Sequence, residues 1–229
     1  MDSRNGKAEQ KLAHAVIDAA LKHVVFDGWS DQTLKKVCLE LKLSEHKAYQ
    51  IFKRGGVDLA LAFHKRDDEQ FQAQFALSEF NKPDQRIRDR IQSAINSRLD
   101  IASKNKEAVK RSMSLLTSPL YLPDGTKALW STSDIIWTAI GDESDDLNWY
   151  SKRLILSSVY SAVMIFWVED ESENFSATKD FVKRRISDVM AIERFKSTFK
   201  KSLIWTDFLS KFQMSYADMK KLKESFPGW

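Results

Sequence analysis

Reactive chemistry begins with a few side-chain types, and in this 229-residue chain they are sparse: four histidines, His14, His23, His46 and His64, and one cysteine, Cys38. A zinc or di-iron site places its ligands at spacings such as Glu-x-x-His or His-x-x-x-His, so that both reach from one helix face. None of the four histidines stands at such a spacing. His64, close to Asp67 and Asp68, has the makings of a general base. A charged cluster on a helix is ordinarily a solvated face, however, and no nucleophile or oxyanion-binding motif accompanies this one. No Gly-x-Ser-x-Gly turn, phosphate loop or dinucleotide fingerprint occurs either. A lone cysteine excludes an internal disulfide and points to a reducing compartment, and Cys38 sits on an apolar helical face as a buried thiol would. The sequence therefore predicts no catalytic residue, no metal ligand and no cofactor.

The elements that carry these residues are helices. With 43% hydrophobic and 30% charged residues the chain lies far from disorder, and only seven Gly and four Pro interrupt it, which favours helices over a β-sandwich. Leu12, Ala15, Val16, Ala19 and Ala20 recur at helical spacing up to Gly28. Ser30 and Ser44 offer N-cap hydroxyls to two further short helices, the second stopped by Gly55-Gly56. Three short helices in about fifty residues suggest a helix-turn-helix bundle. A fourth helix is predicted from near Asp58 to Phe75, and a fifth from Asp84 along Ile87, Ile91, Ile95 and Leu99. Val109 to Leu116 forms a shorter one. Pro119 to Gly125 reads as a loop, followed by a stripe of Leu129, Trp130, Ser133, Ile136, Trp137 and Ile140. Leu147 to Val168 is expected as a buried helix, because its weakly charged run from Leu154 is only fifteen residues long and a bilayer needs about 20. A polar loop and a partner helix from Phe181 to Phe195 complete the expected all-α fold. The organisation predicted is residues 1–56 as a helix-turn-helix-like bundle, 57–195 as a larger helical domain, and 196–229 as a basic amphipathic segment.

The first sixty residues resemble the N-terminus of TetR-type regulators through Val16 to Leu21, Gly28-Trp29, Leu43-Ser44 and Tyr49 to Phe52. Taken alone, that likeness implies a dimeric repressor whose third helix enters the major groove. The stretch from Gly141 through Asn148-Trp149-Tyr150 to Arg153, with Val159-Tyr160 behind it, is similar to a long motif of the coenzyme Q biosynthesis protein nine family. Phe26 to Trp29, Gly55-Gly56 with Asp58-Leu59, and Phe63-His64 resemble its bacterial members. This resemblance implies a TetR-like fold that no longer regulates genes. It also implies a hydrophobic pocket for isoprenoid quinone intermediates and a docking face for the demethoxyubiquinone hydroxylase. The protein would be an accessory factor and no enzyme, working as a homodimer paired, as in TetR relatives, through Leu147–Val168 and Phe175–Phe195. Eukaryotic members begin with a mitochondrial transit peptide. None is read in Met1 to Lys7, nor any secretory signal, so the expected place is the cytoplasmic face of a bacterial inner membrane.

On that resemblance the lipid-binding residues are Phe63, Ile91, Ile95, Met113, Leu116, Trp130, Trp137, Val159 and Val163, each of which a plain packed core explains equally well. The hydroxylase-binding residues are Ile136, Asp146, Asn148, Trp149, Tyr150 and Arg153, of which Trp149 and Arg153 lie one helical turn apart. Large aromatics opening a helix are otherwise core residues. Lys47, Lys53 and Arg54 on the third helix suit phosphates, but little beyond Gln50 is suited to reading base edges, which leaves nucleic-acid binding as the second reading.

From Arg194 to Trp229 eight basic residues stand against three acidic ones, so this tail holds +5 of a net charge of +4. Leu203, Phe208, Leu209 and Phe212 gather on one side of a helical projection, with Trp205 at a boundary and Lys200 and Lys201 elsewhere. That pattern fits a helix lying on an anionic membrane surface. It equally fits a terminal helix docked on protein.

Overall fold

A computed structural model describes residues 2–79, 82, 84–145 and 147–199, and these hold helices and turns with no strand. They divide into two compact units between Asp145 and Asp146. The first contains α1 (Asp2–Asp27), α2 (Asp31–Glu40), α3 (Glu45–Ile51), α4 (Gly56–Phe75), α5 (Ile87–Ser103), α6 (Lys106–Leu116) and α7 (Leu122–Ala139). Its organising element is α4, which packs against α1, α2, α5, α6 and α7.

Local sequence explains the starts of the short helices. The Ser30 hydroxyl accepts the Thr33 N–H at 3.2 Å and the Ser44 hydroxyl accepts the Lys47 N–H at 3.3 Å, each satisfying a donor that the first helical turn leaves free. The next start is built differently. Gly55 takes φ +60°, and the Gly56 N–H is capped by the Asp31 carboxylate from α2 at 3.0 Å, so α4 begins two residues before the predicted Asp58. Other boundaries also move. The predicted loop Pro119–Gly125 is already helical from Leu122, since Pro123 falls in the first turn, where its missing N–H costs nothing. Conversely, Arg86 is extended and α5 opens at Ile87, not Asp84. At the end of α7, the Gly141 N–H reaches the Thr138 carbonyl at 3.0 Å and the Asp142 N–H reaches Trp137 at 2.9 Å, with Gly141 at φ +76°. This is the glycine-ended helix stop.

The second unit holds α8 (Leu147–Val168), a 3-10 turn (Glu173–Phe175) and α9 (Ser176–Phe199), with α8 and α9 packed on each other. The Phe166 and Phe181 rings stack with centroids 4.6 Å apart. Burial of α8 is one-sided: Leu156, Tyr160, Val163 and Trp167 are buried, whereas Leu154, Ile165 and Phe166 are exposed. The expectation of a buried helix is corrected accordingly, because apolar residues surround α8 while its described contacts cover one face. Asn148–Val168 is long and apolar enough to cross a membrane by length and composition, with 33% of that window buried.

Asp170 ties the two helices of this unit together. Its carboxylate accepts the Ser172 N–H at 2.8 Å, the Thr178 N–H at 2.9 Å and the Thr178 hydroxyl at 2.5 Å, closing a turn in which Asn174 and Phe175 hold φ of +51° and +53°. Burial raises the carboxyl pKa, but the hydrogen bonds from Ser172 and Thr178 outweigh it and bring the value down to about 2. A folded-state pKa below the unfolded one contributes stability that is fully present above the unfolded value and is lost as pH falls. Wild-type stability is therefore expected to drop between about pH 4 and pH 2 more than that of Asp170→Asn, measured by urea midpoints across that range. Parallel curves would remove Asp170 from the acid response.

Candidate functional site

Two sets of side chains emerge. The first is apolar and lies in the α4–α7 bundle. Phe63 is fully buried on α4, its ring 5.0 Å from that of Trp29, whose indole N–H donates to the Ala108 carbonyl at 2.9 Å. Ile91 and Ile95 are buried on α5 and Trp137 on α7, while Leu116 at the end of α6 is buried with Val57, Leu61 and Ala128. Met113 and Trp130 are half-buried. Seven of the nine predicted lipid contacts thus belong to four helices that pack on one another. Val159, half-buried, and Val163, buried, lie on α8 in the second unit. A polar cleft of about 370 Å³ opens between α1, α4 and α5, lined by His14, Asp18, Arg66, Asp67, Gln70 and Lys104 among others, and none of the predicted lipid contacts faces it.

Through the same bundle runs a buried polar chain that sequence reasoning missed. Arg98 of α5, 2% exposed, donates from Nε to Asp68 at 2.7 Å and lies 3.5 Å from Asp67. The Thr132 hydroxyl of α7 donates to Asp68 at 2.9 Å, and the Nε2 of His64 is 2.9 Å from that hydroxyl. The solvated face expected around His64 is thereby corrected: its side chain is 20% exposed, and burial pushes its pKa below the ordinary 6.5, leaving the imidazole neutral. Burial also pushes the Asp67 carboxyl up, against the pull of Arg98. The pattern contained a signal, since Arg98 stands with Ile91, Ile95 and Ala102 on one stripe, and Asp67 and Asp68 lie between Phe63 and Phe71 on the buried stripe of α4. Among the described residues no three His, Cys, Asp or Glu side chains converge as a metal requires.

The second set opens α8. Asn148 is exposed, and Trp149 and Tyr150 are half-buried with their rings edge to face at 4.8 Å. The Arg153 guanidinium sits 4.0 Å above the Trp149 ring and donates to the Trp149 carbonyl at 3.2 Å. Arg153 is only 2% exposed, so the Trp149 ring stacks on a buried guanidinium. Ile136 is fully buried on α7 in the first unit, and Asp146 lies outside the described residues, as do Lys200, Lys201, Leu203, Trp205, Phe208, Leu209 and Phe212. Lys47 and Gln50 on α3 are exposed, as is Lys53, which lies in the turn after α3 and not on the helix itself. Arg54 is engaged elsewhere, paired at 2.8 Å with Asp58 and through a two-pronged contact at 3.0 Å with Asp124.

Residues 122–193, which span α7, α8 and most of α9, match the COQ9 family model. This stretch of the chain resembles a COQ9 domain. It is 31% identical over 193 residues to the mitochondrial ubiquinone biosynthesis protein COQ9 of Rattus norvegicus, covering 80% of this chain and 60% of that protein. The COQ9 of Homo sapiens is 30% identical over 193 residues, with 80% and 59% covered. The chain thus spans about three fifths of the length of these curated relatives. Among solved structures, a TetR transcriptional regulator from Nitrosomonas europaea superposes with a TM-score of 0.60 at 21% identity, over 77% of this chain and 97% of that one. The likeness shows a TetR-like fold. The stretch matched by the COQ9 family model contains Trp149, Tyr150 and Arg153.

Proposed function

We propose that this chain is a non-catalytic accessory protein of ubiquinone biosynthesis that binds isoprenoid quinone intermediates at a membrane and presents them to the demethoxyubiquinone hydroxylase. The observation that carries this reading is the Trp149–Tyr150–Arg153 cluster, held in defined geometry inside the stretch matched by the COQ9 family model on a TetR-like scaffold. Trp149 and Tyr150 present half-buried rings beside exposed Asn148, the composition of an association hot spot, while buried Arg153 fixes the Trp149 ring. Lipid would enter where the α4–α7 side chains are not fully buried, at Met113 and Trp130, with Val159 on α8 contributing separately. The protein would act as a homodimer, peripheral to the membrane that holds the quinone pool, as the mitochondrial names of its relatives suit, with the basic 200–212 stretch on the lipid surface.

The TetR-like fold favours a second reading, a DNA-binding regulator. Against it stands Arg54, already bound by two carboxylates and so costly to move onto a phosphate.

The test has two arms. Lipids extracted from the purified full chain are expected to be enriched in polyprenyl quinones, and added quinone to raise its thermal midpoint, since a ligand of the native state must stabilise it. Trp149→Ala is expected to weaken binding to the hydroxylase by roughly 2 kcal/mol, about thirtyfold, with an unchanged helical spectrum. Arg153→Ala should lose both binding and stability. Wild-type affinity in Trp149→Ala together with no quinone enrichment would overturn the proposal, and a shift of the chain's own promoter DNA would favour the regulator.

A further inference from the structure

The turn between α6 and α7 presents apolar side chains to water. Leu120 is 74% and Leu122 51% exposed, and Pro119 and Pro123 beside them are exposed as well. Its base, by contrast, is fixed. Leu115 and Tyr121 pack on the cluster of Val57, Leu61, Leu116 and Ala128, and a Cβ on Gly125 would lie 2.5 Å from the Leu116 carbonyl oxygen, so α6 and α7 are pressed together there. The turn also closes on its own backbone: the Ser118 N–H donates to Leu115 at 3.2 Å, Tyr121 to Ser118 at 3.0 Å and Gly125 to Tyr121 at 3.0 Å. The hydroxyls of Thr117 and Ser118 donate to the Met113 and Leu115 carbonyls at 2.8 and 2.7 Å. Pro119 and Pro123 have no N–H to satisfy.

We infer that the Pro119–Pro123 turn is a membrane-contact point that inserts Leu120 and Leu122 below the headgroups of a lipid bilayer. Two properties select lipid over a protein groove. The tip lies between two helices, and of its backbone N–H groups those of Pro119 and Pro123 are absent and that of Tyr121 is internally bonded, so the N–H groups of Leu120 and Leu122 stay in the hydrated headgroup layer while their side chains go deeper. Because its base is already packed, insertion orders little that was free. The adjacent cation, Arg54, is neutralised by Asp58 and Asp124, so this contact draws little on anionic lipid and depends weakly on salt. In this it differs from the contact proposed for stretch 200–212, where Lys200, Lys201 and Lys211 would add an electrostatic attraction to the apolar one.

The inference rests on the reading that the protein works at a membrane, and the experiment separates the two. Full-length Leu120→Cys carries an environment-sensitive fluorophore; Glu107→Cys, at the far end of α6, is the control, and the wild type reports any labelling of buried Cys38. Vesicles are phosphatidylcholine, alone or with phosphatidylglycerol. On both, the label at 120 is expected to shift to the blue and brighten severalfold, also in Phe208→Glu with Leu209→Glu, while the label at 107 stays water-like. Leu120→Glu with Leu122→Glu should cut high-salt sedimentation severalfold. A water-like label at 120 on a chain that still sediments would overturn this inference alone. A label already blue-shifted without vesicles would mean that protein covers the turn, and membrane insertion of Leu120 would be overturned in the same way. A wild type that sediments with neither vesicle would overturn the membrane reading as well.

Discussion

Arg98→Ala is expected to lower the unfolding free energy by about 3–5 kcal/mol, because it strands two carboxylates in the interior. Arg98 contacts both Asp67 and Asp68 from α5, and both acids are nearly inaccessible on α4. Deleting the cation removes the charge that holds the Asp67 carboxyl down against burial. An acid whose folded pKa rises above its unfolded value loses stability as pH rises past the unfolded one, so the loss should be larger at pH 8 than near pH 5. Chemical denaturation of both proteins at the two pH values measures it. Replacing Arg98 with Asp67 and Asp68 together by apolar residues of similar volume should restore much of the loss, since an ion cluster contributes little over well-packed hydrocarbon. An equal loss at both pH values would mean that packing of the Arg98 stem dominates.

Gly56→Ala is expected to cost about 3 kcal/mol or more, at the upper end for forced overpacking. A Cβ there would lie 2.5 Å from the Trp29 carbonyl oxygen and 2.6 Å from the Ser30 backbone nitrogen and Cα, none of which is the end of a flexible side chain. The first turn of α4 would have to leave α2, losing the Asp31 cap and disturbing the Trp29–Phe63 stack. Gly28→Ala separates sterics from backbone strain. Gly28 has φ +65° and open space around it, so only the left-handed conformation is penalised, by about 1 kcal/mol. Thermal midpoints of the two variants should therefore differ by several degrees. Equal midpoints would show that α4 tolerates the displacement.

The sequence by itself determined the helical class, the periodic stripes on α1 and α5 to α7, and the caps at Ser30 and Ser44, because those depend on residues within a few positions of each other. It likewise held the Asn148-Trp149-Tyr150 to Arg153 motif, a contiguous string that lies within the stretch matched by the COQ9 family model. Tertiary structure alone decided which charges go inside. Arg98, Asp67 and Asp68 are tolerated on apolar stripes only because α4, α5 and α7 bring them together, and periodicity cannot report a partner 30 or 64 residues away. It also decided the surroundings of the motif, stacking Arg153 on the Trp149 ring and burying it, and it left one side of α8 exposed where uniform hydrophobicity gave no directional signal. Arg54 reads as a phosphate ligand in sequence and becomes a structural tie through Asp124, a residue 70 positions further on. Long-range pairing of this kind is set by how helices pack, so it first becomes visible when the chain is folded.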